Sequence, residues 1–142
     1  MHVFDIVIVG GGTVGLTQAL ALKNSGLSVA VVESHISQFI PNGAPQLRVS
    51  ALTLASENIL HNIGAWQHLD VNRLCSYVNM QVWDQDSFGK IEFSASQVQK
   101  KQLGHIVENQ AIRHSLWTQA QNSEHIELLV PTKIKQLLFG QQ

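Results

Sequence analysis

The chain has 142 residues, of which 44% are hydrophobic and 13% charged, with a formal net charge of −1. That is apolar content for one core of ordinary domain size, and the near-neutral balance offers no basic field for nucleic acid. One cysteine, Cys75, excludes an internal disulfide and fits a reducing cytoplasm, and no apolar run nears the ~18 residues that read as a membrane span. Asp5 interrupts the first apolar stretch and no basic segment precedes it, which argues against a signal peptide. His2, His35, His61, His68, His105, His114 and His125 are scattered without ligand-like neighbours at metal spacing, so no metal site is expected.

Val3 to Val9 forms a nearly continuous apolar run, the pattern of a parallel strand covered on both faces. Gly10 to Gly12 break it. Val14, Leu16, Ala19, Leu20 and Leu22 then recur at helical spacing, predicting a helix from Thr13 to about Ser25 with Gly26 as its C-terminal glycine. Val29 to Val32 is a second buried strand, ended by Glu33. The order strand, helix, strand within about thirty residues is a βαβ unit, for which a right-handed crossover is expected. Ser34 to Leu47 holds Pro41, Asn42, Gly43 and Pro45 and reads as a loop. Leu52 to Ile63 reads as a helix stopped by Gly64. Alternation around Val78, Met80 and Val82, a turn at Asp86 to Lys90, and Ile91 with Phe93 predict a hairpin over residues 76–95. Asn109 to Gln121 is a helix with Ile112, Leu116 and Ala120 inward. Ile126 to Val130 and Lys133 to Phe139 read as short strands divided by Pro131.

Gly10-Gly11-Gly12-Thr13-Val14-Gly15 satisfies G-x-G-x-x-G. The hexapeptide alone is a weak signal, but here a strand precedes it and a helix follows. The first glycine permits the turn off the strand, Gly12 leaves room for a pyrophosphate against the backbone, and Gly15 lets the helix pack closely on the sheet. The free N–H groups and positive dipole end of the helix, at Thr13 and Val14, suit the phosphates. Glu33 follows Gly15 by eighteen positions, near the ~20-residue offset of an acid that binds a ribose 2′-hydroxyl and repels a 2′-phosphate. The bland reading is a tight strand–helix turn with a solvated acid. The unit by itself does not separate FAD from NAD.

Four segments carry a family resemblance: Arg48-Val49-Ser50-Ala51-Leu52-Thr53-Leu54-Ala55-Ser56, Gly64-Ala65-Trp66, Met80-Gln81-Val82-Trp83-Asp84, and Leu103-Gly104-His105-Ile106-Val107-Glu108-Asn109. With the glycine-rich opening, they resemble the FAD-dependent aromatic hydroxylases of ubiquinone biosynthesis, a branch of the para-hydroxybenzoate hydroxylase type of flavin monooxygenases. The resemblance implies FAD as cofactor and NAD(P)H as co-substrate, with reduced flavin and oxygen hydroxylating a polyprenylated phenol. It implies that Gly10, Gly12, Thr13, Val14, Gly15 and Glu33 hold the adenosine half of FAD. It places Arg48 over the phosphates or ribitol, where a guanidinium fork suits a pyrophosphate. For Arg48 the plain alternative is a solvated loop cation. Asn109 aligns with a polar side chain reaching the ribitol region and reads equally as a helix N-cap. His105 and Trp83 read as packing residues, and no catalytic residue is identified.

The expected fold class is α/β: a Rossmann-like FAD-binding βαβ unit with a partial parallel sheet, plus a β-hairpin of an incomplete substrate layer. Residues 1–142 are expected to form one incomplete FAD-binding domain. Its nucleotide-binding part would be 1–75 and 103–142, and 76–102 an inserted hairpin. An Asp-Gly and a Gly-Asp segment that complete the family's flavin site do not occur in these residues, nor does most of its substrate section. The chain therefore reads as the family's amino-terminal third, without turnover of its own. The competing readings are a residual FAD- or ADP-binding module and a fragment that folds on a complementary polypeptide. An NAD-dependent dehydrogenase leaves the Arg48–Ser56 segment unexplained. The expected location is cytoplasmic, with peripheral membrane contact or association with other ubiquinone-biosynthesis proteins left open.

Overall fold

A computed structural model describes residues 2–36, 39–41 and 43–138. The first strand, β1 (Ile6–Val9), leads through the glycine turn into helix α1 (Thr13–Ala21), and the chain returns along β2 (Val29–Val32). Ile6 aligns with Val29 and Val9 with Val32 in a parallel register. All four residues of β2 are buried because β2 is central: β8 (Ile126–Leu129), far along the chain, pairs parallel with its other edge. This is the βαβ unit expected from the apolar runs.

Residues Val49–Thr53 form β3 and Leu54–Asn62 form α2. Two single 3-10 turns, Trp66–His68 and Val71–Arg73, lead to β4 (Cys75–Tyr77). Strands β5 (Asn79–Trp83) and β6 (Lys90–Ser94) make a hairpin, and β7 (Gly104–Glu108) runs into α3 (Asn109–Gln121). Strand β7 is the middle of an antiparallel sheet with β3 and β4 on its edges, while β5 and β6 form a separate two-stranded sheet.

One core serves the parallel sheet and its helices. Leu16 and Leu20 of α1, Val29 and Val31 of β2, Val107 of β7 and Leu116 of α3 are almost wholly buried, with Leu60 and Ile63 packed beside them. Burial of aliphatic side chains at about 25 cal/mol per Å² is the term that offsets the ordering cost of these short elements.

Several boundaries differ from those expected. The first strand begins at Ile6, because Asp5 is taken up by hydrogen bonds with the backbone N–H and hydroxyl of Ser28. Helix α1 ends at Ala21 with Leu22 as C-cap. The chain turns through Ser25, so Gly26 (φ +79°) belongs to that later turn and caps no helix. Leu52 and Thr53 are strand residues: Val49–Thr53 pairs with β7, and α2 starts only at Leu54, where the Thr53 hydroxyl accepts the Ser56 N–H. Strand β7 itself went unread as a strand. The predicted hairpin is real but shorter, since residues 75–77 pair with β7 instead. Residues 133–138 form no strand. Asn42 of the predicted loop and Phe139 of the predicted last strand lie outside the described residues. The Gly64 stop is as expected: at φ +83° its N–H reaches His61 O while Ala65 N–H reaches Leu60 O, the paired closure of a helix C-terminus.

Candidate nucleotide-binding site

The turn between β1 and α1 is built for close approach. Gly10 has φ +106°, a conformation that side-chain-bearing residues rarely adopt. A Cβ on Gly15 would lie 2.1 Å from Gly10 O, so only glycine lets α1 pack this tightly against the turn. Gly12 is the opposite case: a Cβ there would meet nothing within 4 Å, so the backbone is open on the side where a ligand would approach. Gly12 is also the N-cap of α1, without a side-chain cap and with no acid in the first turn. The N–H groups at the start of α1 therefore face an open space at the positive end of the helix.

That space is a groove of about 620 Å³ lined by Gly12, Thr13, Glu33, Pro45, Gln46, Leu47, Arg48, Asn109, Gln110 and Arg113. Five of the residues expected to hold cofactor, Gly12, Thr13, Glu33, Arg48 and Asn109, converge there. Gly10 and Gly15 support the turn from beneath. The Val14 side chain does not join them, while the residue's N–H is one of the donors left without an intrahelical partner at the start of α1. That side chain, 81% exposed, lines a separate apolar hollow with Leu52, Ile59 and Ile112, because the fifth residue of the motif falls on the far face of the helix's first turn.

Glu33 is more engaged than an acid waiting for a ribose. Its Oε2 accepts the Gly11 N–H at 2.9 Å and lies 3.2 Å from the Arg113 guanidinium. Its Oε1 accepts the His35 N–H at 2.9 Å and the Ser34 hydroxyl at 3.3 Å. Burial by itself would raise the Glu33 carboxyl. The His35 and Gly11 N–H donors, the Arg113 charge and the Ser34 hydroxyl outweigh it and hold the carboxyl below the ordinary 4.5.

Asn109 is the first residue of α3 and not its cap; Glu108 has the extended cap conformation. The Asn109 N–H donates to Arg48 O at 3.0 Å, and its Oδ1 accepts the Ser50 hydroxyl at 2.6 Å. This fixes the amide at the groove and joins it to the segment that carries Arg48. Arg48 is exposed at the groove wall.

The groove's outer wall rests on a pair missed in the sequence. Glu108 accepts from Arg73 Nε at 2.7 Å and Nη2 at 2.8 Å, and from the Gln46 N–H at 2.8 Å. Arg73 Nη1 donates in turn to the carbonyls of Pro41 and Gly43. The loop before Arg48 is thus tied to β7 through a buried carboxylate. The Arg73 hydrogen bonds lower the Glu108 carboxyl against the opposing effect of burial, and the Gln46 N–H adds to them. Arg113, also missed, was within reach of sequence reasoning: it follows Asn109 by four residues, which puts both on one helix face. Of the two residues read as packing, His105 is half-buried, with Nδ1 2.7 Å from Glu57 Oε1 and its ring beside Trp66. Trp83 is 70% exposed at the hairpin end and packs little.

A parallel βαβ unit with this turn, an open helix N-terminus and an acid at the second strand's end defines a dinucleotide-binding protein of the α/β class. Residues 5–85 match the model of the family described as FAD dependent oxidoreductase, and the chain belongs to that family. Its cofactor is FAD, and the groove fits it: Gly12 leaves the backbone bare, and both cations and an acid line the walls. The chain is 31% identical over 128 residues to 3-demethoxyubiquinol 3-hydroxylase of Escherichia coli (strain K12), covering 89% of this chain and 32% of that protein. It is 36% identical over 142 residues to the mitochondrial ubiquinone biosynthesis monooxygenase COQ6 of Danio rerio, covering 94% and 29%. The chain therefore spans about a third of the length of these relatives. Among solved structures, p-nitrophenol 4-monooxygenase PnpA from Pseudomonas putida DLL-E4 shares the fold, with a TM-score of 0.62 at 17% identity over 87% of this chain and 30% of that one. Among the described residues no helix is long and apolar enough to cross a membrane.

Proposed function

We propose that this chain holds the adenosine diphosphate half of FAD in the groove between the glycine turn, the end of β2 and the start of α3. On this reading it is the FAD-binding part of a flavin-dependent aromatic monooxygenase that hydroxylates a polyprenylated phenol with NAD(P)H and oxygen. The observation that carries the reading is the convergence of Gly12, Thr13, Glu33, Arg48 and Asn109, from four separate segments, on one open groove at a helix N-terminus. The activities of these two relatives, a 3-demethoxyubiquinol 3-hydroxylase and a ubiquinone biosynthesis monooxygenase, support the reaction class.

When bound, FAD supplies the redox chemistry. The chain's own residues bind and orient. The first N–H groups of α1 receive the pyrophosphate, Arg48 adds a cation to the same wall, and Glu33 meets the ribose. Asn109, pinned by Ser50 and Arg48 O, would offer its amide to the ribitol. We assign residues 1–75 and 103–142 to the nucleotide-binding part and 76–102 to a hairpin of the substrate layer. The hairpin supports this division by forming a sheet of its own, with Val82, Ile91 and Phe93 about half exposed. A second reading, a binding module without turnover, predicts the same nucleotide affinity and differs only in a hydroxylase assay.

The test is titration of the 142-residue chain with FAD, followed by flavin fluorescence and thermal midpoint. Saturable binding is expected, adding about 2.7 kcal/mol of stability at a hundredfold excess over Kd. Glu33→Ala should weaken it by at least tenfold. A folded chain whose fluorescence and midpoint ignore FAD would refute the assignment.

A further inference from the structure

Arg113 has no place in the glycine fingerprint, yet from α3 it touches two other segments of the site at once. Its Nε donates to the Gly11 carbonyl at 2.8 Å, its Nη2 pairs with Glu33 Oε2 at 3.2 Å, and the same nitrogen reaches His35 O at 3.4 Å. The side chain is 24% exposed and lines the groove. The glycine turn, the end of β2 and the first turn of α3 are thereby held together by one guanidinium.

Two consequences follow for a ligand. A carboxylate offers about four lone-pair sites; in Glu33 three accept hydrogen bonds, from the Gly11 N–H, the His35 N–H and the Ser34 hydroxyl, and Arg113 adds an ion pair at 3.2 Å. The Ser34 bond is the longest of the close contacts, and that hydroxyl also lies 2.7 Å from His35 Nδ1. A ribose hydroxyl can replace Ser34 there while Arg113 keeps the carboxylate from turning. Charge gives the second consequence. Of the groove's lining residues Arg48 and Arg113 are cations and Glu33 is an anion, a balance of +1 that falls to zero without Arg113. A diphosphate would then share the groove with an unneutralised carboxylate.

We propose that Arg113 is a positioning residue of the nucleotide groove, fixing Glu33 and the Gly11 peptide to receive the ribose and cancelling the carboxylate's repulsion of the neighbouring diphosphate. The proposal rests on the FAD reading and adds to it a residue outside the fingerprint.

The experiment titrates the 142-residue chain with FAD and separately with ADP, as wild type, Arg113→Met, Arg113→Lys, Glu33→Gln and the Arg113→Met/Glu33→Gln double variant. Ligand-free thermal midpoints are recorded, and Glu33 is titrated by carboxyl carbon NMR. Arg113→Met should weaken FAD and ADP alike by roughly 10- to 100-fold, the range of a charge-assisted hydrogen bond. Arg113→Lys should recover part of that loss, and the loss should shrink several-fold in the Glu33→Gln background. Ligand-free Arg113→Met should also show Glu33 titrating at higher pH. The other titratable groups around Glu33 (His35, Arg48 and Lys133) are left in place. A folded Arg113→Met chain that binds FAD within twofold of wild type overturns the proposal, as does an equal loss with and without Glu33. Should Arg113→Met fail to fold, a folded Arg113→Lys chain of wild-type affinity overturns it. A wild-type chain that binds neither FAD nor ADP removes the nucleotide reading, and the groove role with it.

Discussion

Gly12 and Gly15, three residues apart, carry opposite constraints. At Gly15 an added methyl meets the Gly10 carbonyl, a backbone atom that cannot swing aside, whereas at Gly12 it meets no protein atom. Gly15→Ala should therefore cost stability, about 1–3 kcal/mol as an overpacking change, measured by denaturant unfolding. Gly12→Val has an ordinary backbone to adopt (φ −82°) and should cost about 1 kcal/mol or less through its place at the helix start, yet abolish FAD binding. The two carboxylates of the site make a prediction about acid. Glu33 and Glu108 both lie below the ordinary 4.5, so between the folded and unfolded values the unfolded chain binds more protons. Their stabilisation is complete above pH 4.5 and is lost as pH falls through the depressed values. Thermal midpoints from about pH 3 to 7 should drop on the acid side, and Glu108→Gln should flatten that limb.

At the scale of elements, the groove depends on how the loop after residue 40 is tethered. Arg73 joins the Pro41 and Gly43 carbonyls to Glu108, and Gln46 meets the same carboxylate. Arg73→Met should lower the midpoint more than Lys90→Met, which removes a half-exposed pair with Glu92, because the former strands a buried carboxylate. It should also weaken FAD binding by loosening the wall that holds Arg48. Elements with a local signature were legible in the residues themselves. The runs at Ile6–Val9 and Val29–Val32 are continuous because the sheet is covered, and α3 was read from Asn109 to Gln121 as it stands. Elements defined by partners were not. Val49–Thr53 and Gly104–Glu108 are strands because they pair with each other across fifty residues, and neither alternates cleanly enough to declare itself. The helix reading that ran back to Leu52 failed for the same reason: period 3.6 continued into residues that the β7 ladder claims.

Across the whole molecule, the site was half visible in advance. The glycine turn and Glu33 follow from a motif with fixed offsets and Arg48 from the family resemblance, and the fold brings them to one groove. Arg113 shares a helix face with Asn109, a spacing that could have pointed to it; the roles of Arg73 and Glu108 arise where the loop before Arg48 meets the second sheet, which no linear spacing records. The parallel sheet, the antiparallel sheet and the hairpin also divide the labour. The first two share the core and build the groove, while the hairpin stands apart with Phe88, Trp83 and Ile91 exposed. The most direct test of this division, and of the groove, is an amide NMR titration of the 142-residue chain with ADP. Saturable shifts are expected, confined to residues 11–14, 33–35, 46–48 and 109–113, with the hairpin from Asn79 to Ser94 unmoved. Shifts centred on the hairpin, or none at ADP concentrations up to the millimolar range, would contradict this reading.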